Sequence, residues 1–347
     1  MSVTDAPASP IEEDRPAPSP RGRPAAVSWL LWLLRRLGLA VLTLWLVSVL
    51  VFVATSALGN PVRAILGRDY EVSPERVRQL EGLLNLDQPL PQRYLSWLGA
   101  LLQGDLGTSI ASQRPVTEMI GDTVTNSLVL VLIAAVVMIP LAFGIAMISS
   151  AMRRKRGDTI IQTVLLALAG LPEFVIGILL VALFSTTVFT ILPAVTISVP
   201  GTPPWSAPET MVLPVLTLVL AVSPYVARIV RATLLEVLDS DYVELARLKG
   251  VPEPVVMRRH ALRNAIVPGI QVIALQLAWL AGGVVVVEYL FSYPGIGAQL
   301  VDAVRNHDVP MVQALSMIIA AVYVTVNLVA DLVSILLTPR ARTEISG

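Results

Sequence analysis

Long apolar runs alternate with short polar stretches along this chain, a pattern that predicts membrane helices. Six runs stand out: 37–58, 123–150, 159–188, 211–229, 265–289 and 311–337. At a rise of about 1.5 Å per residue, each can cross about 30 Å of hydrocarbon. The third run is interrupted by Gly170, Pro172 and Glu173. A re-entrant helix among the six is the alternative that hydropathy leaves open. Residues 29–36 (WLLWLLRR) form a lead-in to the first run, with Trp29 and Trp32 as interfacial anchors.

The polar stretches complete an all-α, polytopic plan. Residues 1–27 read as a disordered tail, 28–58 as lead-in and first membrane helix, and 338–347 as a second tail. Residues 59–122 predict a helical extracytoplasmic insertion with helices over Pro74–Leu84, capped by Ser73, and Gln88–Leu102. Residues 123–337 form a core of five membrane helices, with 189–210 and 291–310 as outside loops. Within the core, 236–268 is the long polar exception. It predicts a helix over Asp239–Gly250, ended by Gly250 and Pro252, and a second short helix opening at Pro254. Acids precede bases along it, which complements the helix dipoles.

Charge orients this plan. Only 14% of the residues are charged, against about 25% in soluble domains. Arg35 and Arg36, the run Arg153, Arg154, Lys155 and Arg156, and the cations of 236–268 lie on one side, which puts both termini inside the cell. A net charge of +0 gives no case for a nucleic-acid partner. The chain has no cysteine and two histidines, which excludes thiol chemistry and counts against a zinc site. It has neither a GxxxxGK[ST] phosphate loop nor a nucleophile–base pairing, so no enzymatic activity is expected of it.

The remaining candidates are polar groups in apolar runs and the surface of 236–268. Glu173, after Pro172, could line a translocation path or bond to carbonyls freed by a broken helix. Glu288, and Asn327 and Asp331 one turn apart, read first as helix-packing groups. On 236–268, Ala246 and Gly250 form a small surface that a cytosolic partner could approach closely, with charges at its rim.

Several stretches also carry a resemblance. YVELARLKG (242–250) resembles the EAA loop of ABC importer permeases, with Glu244, Leu245, Ala246 and Gly250 on the motif positions and leucine in place of the second motif residue, an alanine. QGDLGTSIASQRPV (103–116), VVVVEYLFSYPGIGAQLVDAV (284–304) and the VTVNLVADLV…PRAR ending (324–342) are similar to segments of the dipeptide/oligopeptide/nickel group, first of its two paired permeases. The resemblance implies a type I importer permease fold that supplies half of a pore. It implies a second homologous permease, two cytosolic ATPases that bind ATP and Mg, an extracytoplasmic solute-binding protein, and a plasma membrane location in a bacterium or archaeon. This chain would hold no cofactor itself. ATPase coupling would fall to Tyr242, Glu244, Leu245, Ala246, Leu248, Gly250, Arg259 and Arg263. Asp105, Phe291, Pro294, Gly295 and Gly297 would border an external gate or binding-protein dock. A secondary transporter is the rival class. Nickel chelates, glutathione or sugars are alternatives to peptides as cargo.

Overall fold

The structure, a computed structural model, describes residues 25–57, 88–197 and 201–337. Residues 1–24 of the tail, Ser73 and the Pro74–Leu84 helix of the insertion lie outside the described residues, as does the second tail, while Ala25–Val27, expected in the first tail, are helical. Among the described residues the chain is helical, with one isolated bridge between Thr108 and Pro115. In chain order the helices are α1 (Ala25–Ala57), α2 (Leu90–Leu102), α3 (Val116–Ala151), α4 (Arg156–Ala169), α5 (Glu173–Val181), α6 (Val212–Leu238), α7 (Asp241–Leu248), α8 (Glu253–Val255), α9 (Leu262–Leu290), α10 (Ile296–Arg305) and α11 (Val309–Leu337).

Four helical stretches can cross a membrane by length and composition: Trp29–Ala57, Val116–Ala151, Pro208–Leu238 and Val309–Val333. Two bent pairs bring the count to six. The third apolar run is therefore not one straight helix. It divides into α4 and α5 with its π-helical extension to Thr186, set at 105° to each other. Pro172 causes the break: it has no N–H to donate, and it sits in extended backbone at φ −60°, ψ 145° ahead of α5.

Two other expectations are corrected. The 291–310 stretch is not a plain loop, because α10 fills its middle. Nor does the helix opening near Pro254 stand alone. It passes from α8 through a π-helical turn, Val256–Ala261, directly into α9. The polar segment and the fifth span thus share one helical path, bent by 49° around Val267. The predicted second helix of the insertion is present as α2, starting at Leu90.

Helix α6 is the centre of the bundle and packs against α3, α4, α5 and α9. Leu218, Val226, Val230 and Leu234 on it are 1% exposed or less and meet Leu130, Met138 and Leu280 in one apolar core. In α1, α3 and α11 less than a third of the most apolar stretch is buried, as suits helices that face lipid. Helix α1 lies along α11, joined by Gln313 Nε2 donating to Thr55 Oγ1 at 2.9 Å and by an Arg36–Asp331 ion pair at 2.8 Å. Tyr94 and Trp97 of α2 pack on Phe52 of α1. A second small core gathers Val116, Ile296, Ala303, Met311 and Leu315 where α3, α10 and α11 meet.

The cross-links order the ends. Arg153 after α3 pairs with Asp239 after α6, so these two helices finish together. Ser127 near the start of α3 meets Glu288 near the finish of α9, so α9 runs opposite to both. One end of the bundle therefore carries residues 236–261, and α10 lies at the other.

Candidate functional site

At the end bearing the polar segment, α7 is amphipathic in an unexpected sense. Val243 and Ala246, three residues apart, face inward and are 0% and 9% exposed. Ala246, expected on the partner-facing surface, packs against the chain's own core instead. The outward face carries Tyr242, Leu245 and Leu248, the last 79% exposed, with Glu244 beside them. Gly250 ends the helix in left-handed backbone at φ +78°, where its N–H bonds the Arg247 carbonyl at 2.9 Å, and open space surrounds it.

Arg247 fastens this element. Its guanidinium donates to both oxygens of Glu253, at 3.1 and 2.7 Å, and to the Leu238 carbonyl at 3.1 Å. The Glu253 carboxylate raises the Arg247 pKa above its already high ordinary value. Asn264 donates to the Tyr242 hydroxyl at 2.6 Å, which ties α7 to the start of α9. Arg258, Arg259 and Arg263 are exposed and form no ion pair among the described residues.

Directly beneath lies a group that the sequence reading missed. Arg231 of α6 grips Asp158 of α4 through Nε at 3.1 Å and a second N–H at 2.5 Å. Ser149 of α3 donates to the same carboxylate at 2.6 Å, and Gln162 donates to Ser149 at 2.9 Å. Three helices thus meet on one largely buried carboxylate.

The opposite end is also a polar knot, and here it is closed. Glu288 is 0% exposed. It accepts from Ser127 Oγ at 2.5 Å and from the Gly297 N–H at 2.7 Å, while Ser127 Oγ accepts from the Ile296 N–H at 2.8 Å. The first N–H groups of a helix have no partner within it. Here α3 and α9 supply partners to α10. Asn126 donates to the Pro294 carbonyl at 2.8 Å, and Tyr293 returns a bond to the Asn126 carbonyl at 2.9 Å. Gly295 and Gly297 are required by this closeness: a Cβ at Gly295 would overlap the Glu288 carboxyl, and one at Gly297 would overlap Val285. Phe291 is 1% exposed and packs the core rather than presenting a docking surface.

Nearby, Asp105 accepts from the Gly107 N–H at 2.9 Å and shapes a local turn. The hub that anchors this turn is Asp308, also absent from the sequence reading. It is 2% exposed and accepts from Ser109 Oγ at 2.5 Å and from the Ile110 N–H at 3.1 Å. An Asp two residues before a proline at a helix start was the available signal.

Asp331 pairs with Arg36 across the α1–α11 seam, and Asn327, which donates to the Tyr323 carbonyl of its own helix at 2.9 Å, borders the same groove beside Leu39 and Thr43 of α1. Glu173 begins α5, half-buried, and has no hydrogen bond or ion pair among the described residues. The freed carbonyls expected as its partners do not bond it.

Residues 29–131 match the family model of the N-terminal part of the binding-protein-dependent transport system membrane component, and residues 138–343 match the inner membrane component itself. The chain belongs to that family. It is the permease component of an ABC importer. The glutathione transport system permease protein GsiC of Pectobacterium atrosepticum is 37% identical over 310 residues, covering 89% of this permease and 97% of the relative. The proteins of the same name from Escherichia coli strain K12 and Shigella dysenteriae serotype 1 are 36% identical over the same coverage. Family membership and helices fit to span a membrane together make this permease a membrane protein.

Proposed function

We propose that this permease forms half of a bacterial inner-membrane pore, and that two cytosolic ATPases drive it through residues 236–268. Both termini and this segment then lie in the cytoplasm. A second homologous permease completes the pore, and a solute-binding protein delivers cargo to the end that carries α10. The cargo is a short peptide-like solute, in line with the glutathione named for the relatives.

The observation that carries the reading is the outward face of α7. Leu245 and Leu248 are exposed apolar side chains outside the predicted lipid zone, and the exposed Arg258, Arg259 and Arg263 of the same segment form no ion pair among the described residues. Such a patch with a charged rim is what a protein partner covers. Tyr242, Glu244, Arg259 and Arg263 share this rim. Gly250 lets a partner backbone come close, and Ala246 serves by seating α7 on the bundle. Motion imposed on α7 would pass to α6 through the Arg247 bond to the Leu238 carbonyl, and to α8 and α9 through the Arg247–Glu253 pair and the Asn264–Tyr242 bond. Helices α6 and α9 reach the α10 end, so closure of the ATPases could switch the access of the pore.

The test uses the absence of cysteine. Leu248→Cys, combined with single cysteines on the ATPase surface, should crosslink in the assembled complex. An assembled, ATP-hydrolysing complex with no crosslink at any ATPase position would overturn the docking assignment. Glu173, without a bonded partner, is assigned to the path. Glu173→Gln should slow uptake of cationic solutes more than of anionic ones, and equal effects would return it to packing.

A further inference from the structure

A cavity of about 900 Å³ opens at the α10 end. Helix α5 contributes Phe174 and Ile178 to its wall, α9 contributes Tyr289, and α10 contributes Gln299, Asp302 and Arg305. Its volume lies in the range of sites for small organic ligands, about 300–1,000 Å³. Helix α10 is amphipathic. Ile296 and Ala303 are buried in the small core, while Gln299, Asp302 and Arg305, spaced by three residues, line the cavity along one face.

Those three residues are chemically distinct and largely uncommitted. The Arg305 guanidinium lies 4.9 Å from the centroid of the Tyr289 ring, which steadies it without neutralising it. Neither Arg305 nor Asp302 forms an ion pair among the described residues. The Gln299 side-chain oxygen lies 2.7 Å from Thr123 Oγ1, whose one proton is shared with the Met119 carbonyl at 3.0 Å, and the Gln299 amide N–H groups form no hydrogen bond among the described residues. One amide, one carboxylate and one guanidinium thus border a space lined otherwise by aromatic and aliphatic groups and by Thr123 and Ser292.

We infer that this cavity is an entry subsite for a solute carrying both an ammonium and a carboxylate group, as a short peptide does. Arg305 takes the carboxylate, Asp302 takes the ammonium, and Gln299 donates to an amide carbonyl. A mixed pair of this kind disfavours solutes of one sign only, because one wall charge is then left desolvated and unpaired. The inference deepens the importer reading and rests on it. It adds that the permease itself inspects its cargo at the outer mouth, after the binding protein has released it.

The test uses the assembled complex with Ala298→Cys, a half-buried cavity-lining position in a chain with no other cysteine. Labelling by a neutral maleimide is followed with S-methylglutathione as the probe and its diamide as the control. S-methylglutathione should protect the thiol and the diamide should not. Arg305→Gln and Asp302→Asn should each raise the half-protecting concentration about tenfold, the effect of one charge-assisted hydrogen bond, and Arg305→Lys should recover part of it. Equal protection by probe and diamide, or protection unchanged in both charge variants, would overturn the subsite and leave the two side chains to a protein interface. ATP-driven uptake of S-methylglutathione by the same preparation separates the two claims. Uptake without charge-dependent protection sinks the subsite alone, whereas no uptake by the wild-type assembly strikes the peptide-like cargo reading and takes the subsite with it.

Discussion

The two ends of this permease use polar groups in opposite ways. At the α10 end the polar groups of the helix junction point inward: Glu288, Ser127, Asn126 and Asp308 are buried, and each bonds a backbone group or side chain of another element, while Asp302 and Arg305 on the cavity face of α10 stay exposed. At the other end the outer layer is open. Leu245 and Leu248 are exposed, and Arg258, Arg259 and Arg263 lack ion pairs among the described residues, while one buried ion pair, Asp158–Arg231, closes the layer beneath. A junction whose polar groups satisfy one another is built to hold a shape. An end that leaves apolar and charged groups uncovered is built to meet something.

The largest expected effect tests the closed layer under the open one. Arg231→Gln leaves the Asp158 carboxylate largely buried without its cation, and losing one partner of such a pair costs about 3 kcal/mol. Thermal unfolding in detergent should fall clearly, and the Arg231→Gln, Asp158→Asn double variant should lose less than the two single losses combined. Additive losses would mean that the two side chains do not act as a pair. Next comes the closed end. Gly297→Ala places a methyl against Val285 and the Glu288 carboxyl, an overpacking penalty of about 2 kcal/mol. A variant as stable as the wild type would show that the α10 junction is looser than its geometry indicates.

The third prediction moves to the open end and should separate function from stability. Leu248→Asp removes an exposed apolar contact, so unfolding should shift by no more than about 0.5 kcal/mol. Solute-stimulated ATP turnover and uptake should nevertheless fall about tenfold or more, as at an interface hot spot. A large loss of stability with normal turnover would place Leu248 in the bundle rather than at a docking face.

How much of this was legible follows the range of the interactions involved. Apolar runs report local composition, so the spans were readable, and Pro172 marked the break in the third. Its angle was not readable, because packing against α6 sets it. Gly250 was legible as a helix end because left-handed backbone is a local demand. On α7 two apolar stripes compete, Val243–Ala246 and Leu245–Leu248. Nothing within eight residues says which faces the chain's own core, and Ala246 was assigned to the wrong side. Gly295 and Gly297 were legible only through the resemblance of their segment to the family. The reason for them, a carboxyl from Glu288 filling the space, depends on the fold. Asp158 and Arg231 lie 73 residues apart, and no periodicity joins them.

The smallest effect sharpens the contrast within the open end itself. Arg153–Asp239, at 2.6 Å, is as short as the bond that Ser149 makes to Asp158, yet its side chains are 32% and 60% exposed, against 19% and 11% for Arg231 and Asp158. Solvent screens the exposed pair, so Arg153→Gln should cost only about 0.5 kcal/mol, and raising the salt should erase most of that difference. The buried pair should keep its contribution in the same salt. If both pairs faded alike, burial would not be what distinguishes them, and the closed layer beneath the docking face would be as solvent-coupled as the face itself. If only Arg153–Asp239 fades, the junction of α3 and α6 is soft at its rim and firm about two turns deeper along α6. A rim of that kind could give way when a partner pulls on α7, while the helices behind it move as one body.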